Sequence, residues 1–281
     1  MAADIKSESI VADVELANQF NLNAAKLIEM LGAADPIPAH AGEILKEWKV
    51  TGALSTEAYT EGEDIPLSKY EKAEVKTYEL TLKPYRKATT LQSIQKRGYA
   101  AAVDETDAAM LRDIQAGIKK SVVEALATAE LSATGTDLKS AAANAWAALM
   151  NKAEEYGFGD IQPVFFVNPS DFAEMVGKSD TLSAFGLSYI EGAFGLGNMV
   201  ATAAVPAGTV YAVPQSNLKV YYIDASEGQG FEFYTDESGY IAVQHDATLR
   251  NLSYETVAWT ALTVFAEYAD LIAKGTIAPA A

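Results

Sequence analysis

The stretch that decides the fold reads Glu57-Ala-Tyr-Thr-Glu-Gly-Glu-Asp-Ile-Pro66 and continues as Val75-Lys-Thr-Tyr-Glu-Leu-Thr-Leu-Lys-Pro-Tyr-Arg-Lys-Ala-Thr-Thr-Leu91. Gly62 and Pro66 are typical turn residues, and the tract after them is rich in the Thr, Tyr, Val and Leu that suit strands. Polar side chains are spread over both faces of this tract, and a two-stranded ribbon is only marginally stable alone. We therefore predict that residues 57–97 form a long, exposed β-ribbon whose partner is another copy of the same chain.

The composition is that of a folded protein without redox or membrane chemistry. With 281 residues, 49% of them apolar, the chain can bury a sizeable core in one or two domains. It contains no cysteine, which removes disulfides and thiolate metal sites. No apolar run reaches the length of a membrane span, and the first residues lack the basic-then-apolar layout of a signal peptide. We expect no membrane contact and a protein that stays in the cytoplasm where it is made.

The net charge of −17 is unevenly distributed along the sequence. Residues 1–68 hold 4 Lys and Arg against 12 Asp and Glu, residues 69–97 hold 8 against 3, and residues 98–281 hold 9 against 23. A basic ribbon would be complementary to the acidic body of a neighbouring copy, which favours salt-sensitive self-association; an ordinary solvated charge run is the alternative. The acidic total disfavours a protein that grips DNA through many phosphate contacts. The basic residues predicted to serve assembly are Lys69, Lys72, Lys76, Lys83, Arg86 and Lys87, and reversing the last three to Glu is expected to block self-assembly while leaving soluble subunits.

The clearest helix in the sequence covers about Asp104 to Leu131. Its apolar residues step by three or four and form one stripe: Leu111, Ile114, Ile118, Val122 and Leu126. Asp104 and Asp107 predict a capped, acidic first turn, and Gly135 is predicted to stop the helix. A helix of this length, on the order of 40 Å, would be a structural spine.

The segments on either side complete a mixed pattern of helices and strands. Residues 8–31 predict one or two short helices, either an N-terminal arm lying on another surface or a surface helix of the same subunit. After the long helix we predict helices at Asp137–Tyr156 and Phe172–Val176. The predicted strands are Ile161–Val167, Val200–Val205, Thr209–Val213, Leu218–Ile223, a hairpin of Gln229–Tyr234 with Tyr240–Asp246 around Glu237-Ser-Gly239, and Tyr254–Ala266. The fold class predicted is α+β.

Two histidines limit any enzymatic interpretation. His245 and Asp246 could pair a base with an orienting acid, but adjacent residues of a strand point to opposite faces, so a hydrogen-bonded structural histidine is favoured. His40 lies in a Pro/Ala/Gly-rich loop and is expected to be exposed. The carboxylates are scattered and no EF-hand-like loop is present. We expect no catalytic residues, no cofactor and no metal site.

The order of these parts resembles the major capsid proteins of tailed bacteriophages, which have the HK97-like fold. Four motifs carry the resemblance over about residues 45 to 275: the turn from Glu61 to Pro66 with the strand after it, Ala88-Thr-Thr-Leu-Gln-Ser-Ile-Gln95 leading into the long helix, Phe165-Phe-Val-Asn-Pro-Ser-Asp-Phe172, and Val205-Pro-Ala-Gly-Thr-Val-Tyr-Ala-Val213. The first matches the family's extended loop, the E-loop, which adds Glu61, Gly62 and Asp64 to the predicted assembly residues. The resemblance implies an N-terminal arm (1–47), the E-loop with its flanking strands (48–97), a peripheral (P) domain with the spine helix (98–137), an axial (A) domain (138–244) and a return to the P domain (245–281).

The same resemblance implies a structural role in a virion. Subunits of this family self-assemble as hexamers and pentamers into an icosahedral shell that encloses double-stranded DNA without sequence-specific binding. The implied partners are the chain itself and, beyond it, a separate scaffolding protein, a portal and decoration proteins; assembly would take place in the host bacterial cytoplasm. Two alternatives stay open. One is an encapsulin-like compartment shell, which would differ in its contents, and the other is a small soluble arm-swapped oligomer that binds a ligand, which would differ in size.

Overall fold

The computed structural model describes residues 30–31, 34–40, 42–58, 64–159, 161–177, 198–224, 233–235 and 240–278. The helices within these residues are α1 (Leu91–Arg97), α2 (Glu105–Leu126), α3 (Leu138–Glu155) and α4 (Pro169–Gly177), with a π-helical turn at Ala100–Asp104 just before α2. The strands are β1 (Asp35–Pro38), β2 (Ile44–Ala53), β3 (Lys69–Glu79), β4 (Lys83–Thr90), β5 (Leu131–Gly135), β6 (Pro163–Val167), β7 (Asn198–Ala201), β8 (Thr209–Pro214), β9 (Leu218–Tyr222), β10 (Tyr234–Thr235), β11 (Ile241–Thr248), β12 (Ser253–Thr260), β13 (Leu262–Ala266) and β14 (Ala273–Ile277).

These strands form separate sheets that join distant parts of the chain. A five-stranded sheet has the order β5-β14-β8-β6-β7, a four-stranded sheet β10-β11-β12-β4, and a three-stranded sheet β1-β9-β13, while β2 and β3 pair only with each other. In the five-stranded sheet β14 runs parallel to β5 and antiparallel to β8. In the four-stranded sheet β12 lies between β11 and β4 and is antiparallel to both. The mixed α+β class is confirmed.

The inner strands β6 and β8 of the five-stranded sheet are buried on both faces, which explains the continuous apolar sequence of β6. On one face Phe165 and Val167 pack with the small residues of α3, among them Ala145 and Leu149. On the other face Val164 joins the core that contains the apolar stripe of α2. Because side chains alternate along a strand, this one short segment packs two helical layers together.

Helix α2 confirms the predicted spine and corrects both of its ends. All five stripe residues are buried in one core. The helix ends at Leu126, because the chain then turns and Leu131 enters β5 to pair with β14. Gly135 is therefore the last residue of a strand and no helix stop. A Cβ there would lie 2.2 Å from the backbone nitrogen of Ala141, so the glycine permits close strand–helix packing.

The predicted cap at the start of α2 is also wrong. Asp104 has helical dihedral angles (φ −62°, ψ −46°) and its side chain makes no capping hydrogen bond, because the π-helical turn continues directly into α2. Asp107 is buried at 1% exposure. Helix α3, by contrast, begins with a capping box in which Asp137 and Ser140 each accept from the other's backbone nitrogen.

The later strands differ from the prediction where a continuous apolar run gave no sign that one strand ends and another begins. The segment Tyr254–Ala266 is two strands, β12 and β13, which lie in different sheets on either side of Ala261. Strand β14 was not predicted. The hairpin partner β10 pairs with β11 as expected, but its turn lies outside the described residues, as do the helices predicted over 8–31 apart from Met30 and Leu31.

Candidate assembly surface

The most exposed feature of the described chain is the two-stranded ribbon β2–β3. Its register runs from Ile44 opposite Glu79 at the root to Ala53 opposite Lys69 near the tip, with one bulge in β3 opposite Glu47 and Trp48. The root is fixed to the body by aromatic stacking, since the rings of Tyr78 and Phe265 lie 4.5 Å apart between centroids. The predicted ribbon is thus confirmed as a feature but shifted. Its strands are residues 44–53 and 69–79.

Large apolar side chains are exposed near the tip of this ribbon. Leu54 is 72% exposed, Ile65 74%, Leu67 90% and Tyr70 59%. Each such side chain is stabilised by about 1.5–3 kcal/mol when it is buried fully, so the four together are a substantial driving force for contact with another surface. Exposed apolar patches of this kind mark interaction sites.

The charge on the ribbon is balanced, which corrects the prediction of a basic ribbon. Strand β3 carries three Lys and three Glu, and β2 carries two Lys and one Glu. One pair is formed within the ribbon, Lys46 Nζ to Glu74 Oε2 at 2.7 Å, and the hydrogen bonds from Lys46 and Thr77 lower the pKa of Glu74. The basic excess lies further along, on β4 and α1, where no acidic residue interrupts the sequence from Lys83 to Arg97.

The predicted assembly residues therefore fall into three groups. Glu61 and Gly62 lie outside the described residues. Asp64, Lys69, Lys72 and Lys76 are exposed on the ribbon or beside its tip. Lys83, Arg86 and Lys87 lie on β4, which belongs to the four-stranded sheet of the body. The prediction that Lys83, Arg86 and Lys87 lie on an exposed ribbon is wrong, because β4 pairs along its whole length with β12.

Arg86 uses its guanidinium within its own subunit. Its Nε and Nη2 donate to the two carboxylate oxygens of Glu255 at 3.0 and 2.6 Å. The hydrogen bonds from the guanidinium stabilise the ionised carboxylate, so the pKa of Glu255 is lowered. Arg86 on β4 lies opposite Val257 of β12, two residues from Glu255, and the pairing of Arg86 with Glu255 fastens β4 to β12.

Lys87 belongs to a buried cluster that the sequence analysis did not find. Its ammonium pairs with Asp107 on α2 and donates to the carbonyl oxygen of Val103 at 3.2 Å and to the hydroxyl of Thr106. The second oxygen of Asp107 lies 2.9 Å from Nε2 of His245 on β11. The side chains of Asp107 and His245 are 1% and 3% exposed.

The electrostatics of this cluster follow from burial. Burial raises the pKa of Asp107, and the ion pair with Lys87 opposes that rise. Burial lowers the pKa of His245 from its ordinary value of 6.5 to about 4, so the ring is neutral at pH 7. The prediction that His245 is a hydrogen-bonded residue is confirmed, but its partner is Asp107 and not the neighbouring Asp246, which is exposed. His40 is exposed, as expected.

A groove of about 450 Å³ lies between the root of the ribbon and the C-terminal half of α2. Its floor contains Leu262 and Phe265, and its walls carry charges of both signs, Lys76 and Lys83 against Glu124 and Glu130. Within the described residues, no three His, Asp or Glu side chains come together as metal ligands. None of the helices described is both long and apolar enough to cross a membrane.

Comparison with known proteins places this architecture among capsid-type particles. No protein-family model matches the chain, and no curated protein matches it in sequence. The capsid of a native GTA particle is similar in structure at a TM-score of 0.59 and 9% identity, with 89% of each chain covered. The virus-like particle from Pyrococcus furiosus is similar at a TM-score of 0.54 and 11% identity, covering 92% of this chain and 98% of the other. The procapsid of satellite phage P4 is similar at 0.53 and 13% identity, covering 93% and 92%. The chain has the HK97-like fold, with the ribbon β2–β3 as its E-loop and α2 as its spine helix.

Proposed function

We propose that this chain is a major capsid protein, the structural subunit of an icosahedral shell that assembles from hexamers and pentamers around double-stranded phage DNA. The observation that carries the proposal is the exposed ribbon β2–β3 with its apolar tip, on a body with the HK97-like fold. A single compact subunit gains nothing from exposing Leu54, Ile65 and Leu67, whereas a neighbouring copy would bury them. The protein acts by assembly and not by catalysis.

The groove at the root of the ribbon offers the chemistry that a neighbour's tip requires. It has an apolar floor for the leucines and both signs of charge at its walls, and the tip region carries both signs as well, with Asp64 and Lys69. Thr128 lines this groove and is exposed, so Thr128→Trp should fill it and weaken assembly. We further propose the domain limits 1–47 for an N-terminal arm, 48–97 for the E-loop and its flanking strands, 98–137 for the P domain with the spine helix, 138–244 for the A domain and 245–281 for the return to the P domain.

The proposed partners are further copies of the chain, a separate scaffolding protein, a portal and decoration proteins. The packaged DNA would be held inside without sequence-specific contacts, which agrees with the net charge of −17. The proposed location is the virion capsid, assembled in the cytoplasm of a bacterial host. Likeness to the Pyrococcus furiosus virus-like particle supports a second candidate, an encapsulin-like shell whose contents are not a genome.

The test is assembly of the purified full-length chain, followed by light scattering and negative-stain electron microscopy at low and high salt. Regular shells are expected for the wild type. The triple variant Leu54→Ser, Ile65→Ser, Leu67→Ser should keep the wild-type circular dichroism spectrum and melting temperature but remain as subunits or capsomers. Leu82→Ser, which removes an exposed leucine outside the ribbon strands, is the matched control and should assemble normally.

Three outcomes contradict the proposal or select between its versions. A wild-type chain that stays monomeric at high concentration, alone and with candidate scaffold proteins, contradicts a shell subunit. Normal shells from the triple variant contradict the role of the tip. Nucleic acid inside the shells supports the phage capsid, and a protein cargo supports the compartment. The predicted charge contribution is tested by Lys69→Glu with Lys72→Glu, because these residues are exposed while Lys87 is needed within the subunit.

A further inference from the structure

The cluster of Lys87, Asp107 and His245 joins the start of the spine helix to the four-stranded sheet. Lys87 lies on β4 and His245 on β11, the two strands that flank β12, and both side chains reach Asp107 in the first turn of α2. The carboxylate is thus held from two strands at once. It forms an ion pair with Lys87, which is 21% exposed, and contacts the neutral imidazole of His245, which is 3% exposed.

The same residues also fix the π-helical turn that precedes α2. Side chains donate hydrogen bonds to carbonyl groups inside this turn. Lys87 Nζ donates to the carbonyl of Val103 at 3.2 Å, Thr106 Oγ1 donates to that of Ala102 at 3.0 Å, and Thr89 Oγ1 reaches the latter at 3.4 Å. Strand β4 therefore supplies two of the side chains that hold the turn in place.

Stability alone does not require ions at this position. A buried ion pair is commonly no more stabilising than well-packed apolar residues of the same volume. The rest of α2 is held by exactly such packing, through its stripe of Leu, Ile and Val. A charged cluster at one end of the apolar stripe of α2, beside a π-helical turn, makes the attachment of that end dependent on protonation in a way that the packing of the stripe is not.

The net charge of the cluster shows whether protonation stabilises or destabilises it. With Lys87 positive, Asp107 negative and His245 neutral, the cluster has no net charge. A proton added to His245 leaves a net positive charge in a buried place. The other groups facing it do not compensate. Tyr254 stacks on the imidazole with ring centroids 5.4 Å apart, and Tyr99 lies edge-on to Tyr254 at 5.5 Å.

Burial raises the pKa of Tyr99 above its usual range, so its hydroxyl supplies no negative charge in acid. The negative charge of Asp104, at the end of the π-helical turn, contributes to the raised pKa of Tyr99. Asp104 therefore faces the Tyr99 side of the cluster. Asp246, the neighbour of His245 on β11, is exposed on the other face of the strand. It is therefore screened by water and cannot neutralise a proton on the buried ring.

We propose that Lys87, Asp107 and His245 form an acid-sensitive latch that holds the π-helical turn Ala100–Asp104, and with it the start of α2, against the four-stranded sheet. At neutral pH the latch is closed. As the pH falls, a proton enters the cluster and the turn detaches, while the five-stranded sheet and α3 keep their structure. The proposal concerns the subunit itself and holds whether or not the chain builds a shell.

Proton linkage determines whether the latched state gains or loses stability as the pH falls. In the detached state His245 is hydrated and has its ordinary pKa of 6.5, whereas in the latched state burial lowers it to about 4. The detached state binds more protons over this interval, so the latch weakens as the pH falls from 6.5 to about 4. At about pH 5 the open population should rise by about 30-fold at most relative to neutral pH. The raised pKa of Asp107 works in the opposite direction and reduces this figure.

The test is hydrogen–deuterium exchange with mass spectrometry on the full-length, unassembled subunit at about pH 7.5 and about pH 5, corrected for the intrinsic exchange rates. Peptides covering residues 98–107 should lose protection by about ten- to thirty-fold at the lower pH. Peptides from α3 (Leu138–Glu155) should not change and serve as an internal reference. Loss of protection in both regions together, or in neither, overturns the proposal.

Two variants separate the latch from other effects of acid. His245→Gln keeps a donor towards Asp107 but cannot titrate, so the acid response of residues 98–107 should disappear or move to lower pH. His40→Gln removes the other, exposed histidine and should retain the wild-type response. A full acid response in His245→Gln overturns the proposal. If that variant does not fold, the midpoint of the wild-type response decides: a value between 4 and 6.5 is expected, and one below that interval contradicts the latch.

Discussion

Removal of the ammonium group of Lys87 should be one of the most destabilising single changes on the surface of this subunit. Lys87→Met keeps most of the aliphatic stem and its packing but leaves Asp107, at 1% exposure, without its ion-pair partner. Breaking a buried pair in this way costs about 3–5 kcal/mol, because the remaining charge stays buried. Lys87 itself is 21% exposed and His245 still contacts the carboxylate, so we expect the lower end, about 3 kcal/mol.

The measurement is urea unfolding of the unassembled subunit at neutral pH, followed by circular dichroism. Lys120→Met is the matched control. Its partner Glu124 is 3.7 Å away and both side chains are largely exposed, so the loss should be below about 0.5 kcal/mol. The double variant Lys87→Met, Asp107→Asn removes the buried charge as well and should recover about 2 kcal/mol of the loss. Equal unfolding free energies for Lys87→Met and Lys120→Met would refute the reasoning.

Three further changes test the packing described above, each by the same unfolding measurement. Gly275→Ala should cost about 1–3 kcal/mol, because its Cβ would lie 2.6 Å from a methyl carbon of Val210 and 2.8 Å from the carbonyl oxygen of Ala141; an unchanged midpoint would show that β14 can shift. Leu252→Gly should stabilise by about 0.5–1 kcal/mol, since Leu252 is 58% exposed and has a φ of 51°; a loss of stability would mean that its side chain packs against something. Asn217→Ala should cost about 2–4 kcal/mol, because the buried amide makes hydrogen bonds of 2.8, 2.9 and 3.3 Å to backbone atoms before β14, and a small effect would mean that water replaces them.

The parts of the fold that could be predicted are those with a local signal. The stripe of α2 and the helix predicted at Asp137–Tyr156 each follow from the pattern within one segment, and both are present. The end of α2 and the division of β12 from β13 could not be located in this way. Both depend on pairing partners far along the chain, since Leu131 leaves the helical path to pair with Ala273.

The candidate site shows the same division between local and distant information. The ribbon was predicted from composition, but its limits were misplaced, because the strand after Pro66 is interrupted at 80–82 and resumes as β4 in another sheet. The charges of residues 69–97 were counted correctly, but their basic excess was wrongly assigned to the ribbon for the same reason. The cluster of Lys87, Asp107 and His245 joins residues up to 158 positions apart in number, so no spacing rule could have revealed it. A charged residue at a predicted apolar helix face, as Asp107 is, was the one available signal.

The pairing of β4 with β12 and of β5 with β14 also determines when the chain can fold during its synthesis. Both pairings need residues between Ser253 and Ile277, whereas the ribbon strands and the spine helix precede residue 127. A ribosome therefore releases the segments with the apolar tip long before the body that carries them can close, and contacts between residues so distant in sequence form slowly. Nascent chains on one messenger RNA would expose the apolar tips before any folded surface is present to bury them. Early chaperone binding therefore matters more for this protein than for one whose sheets close in sequence order.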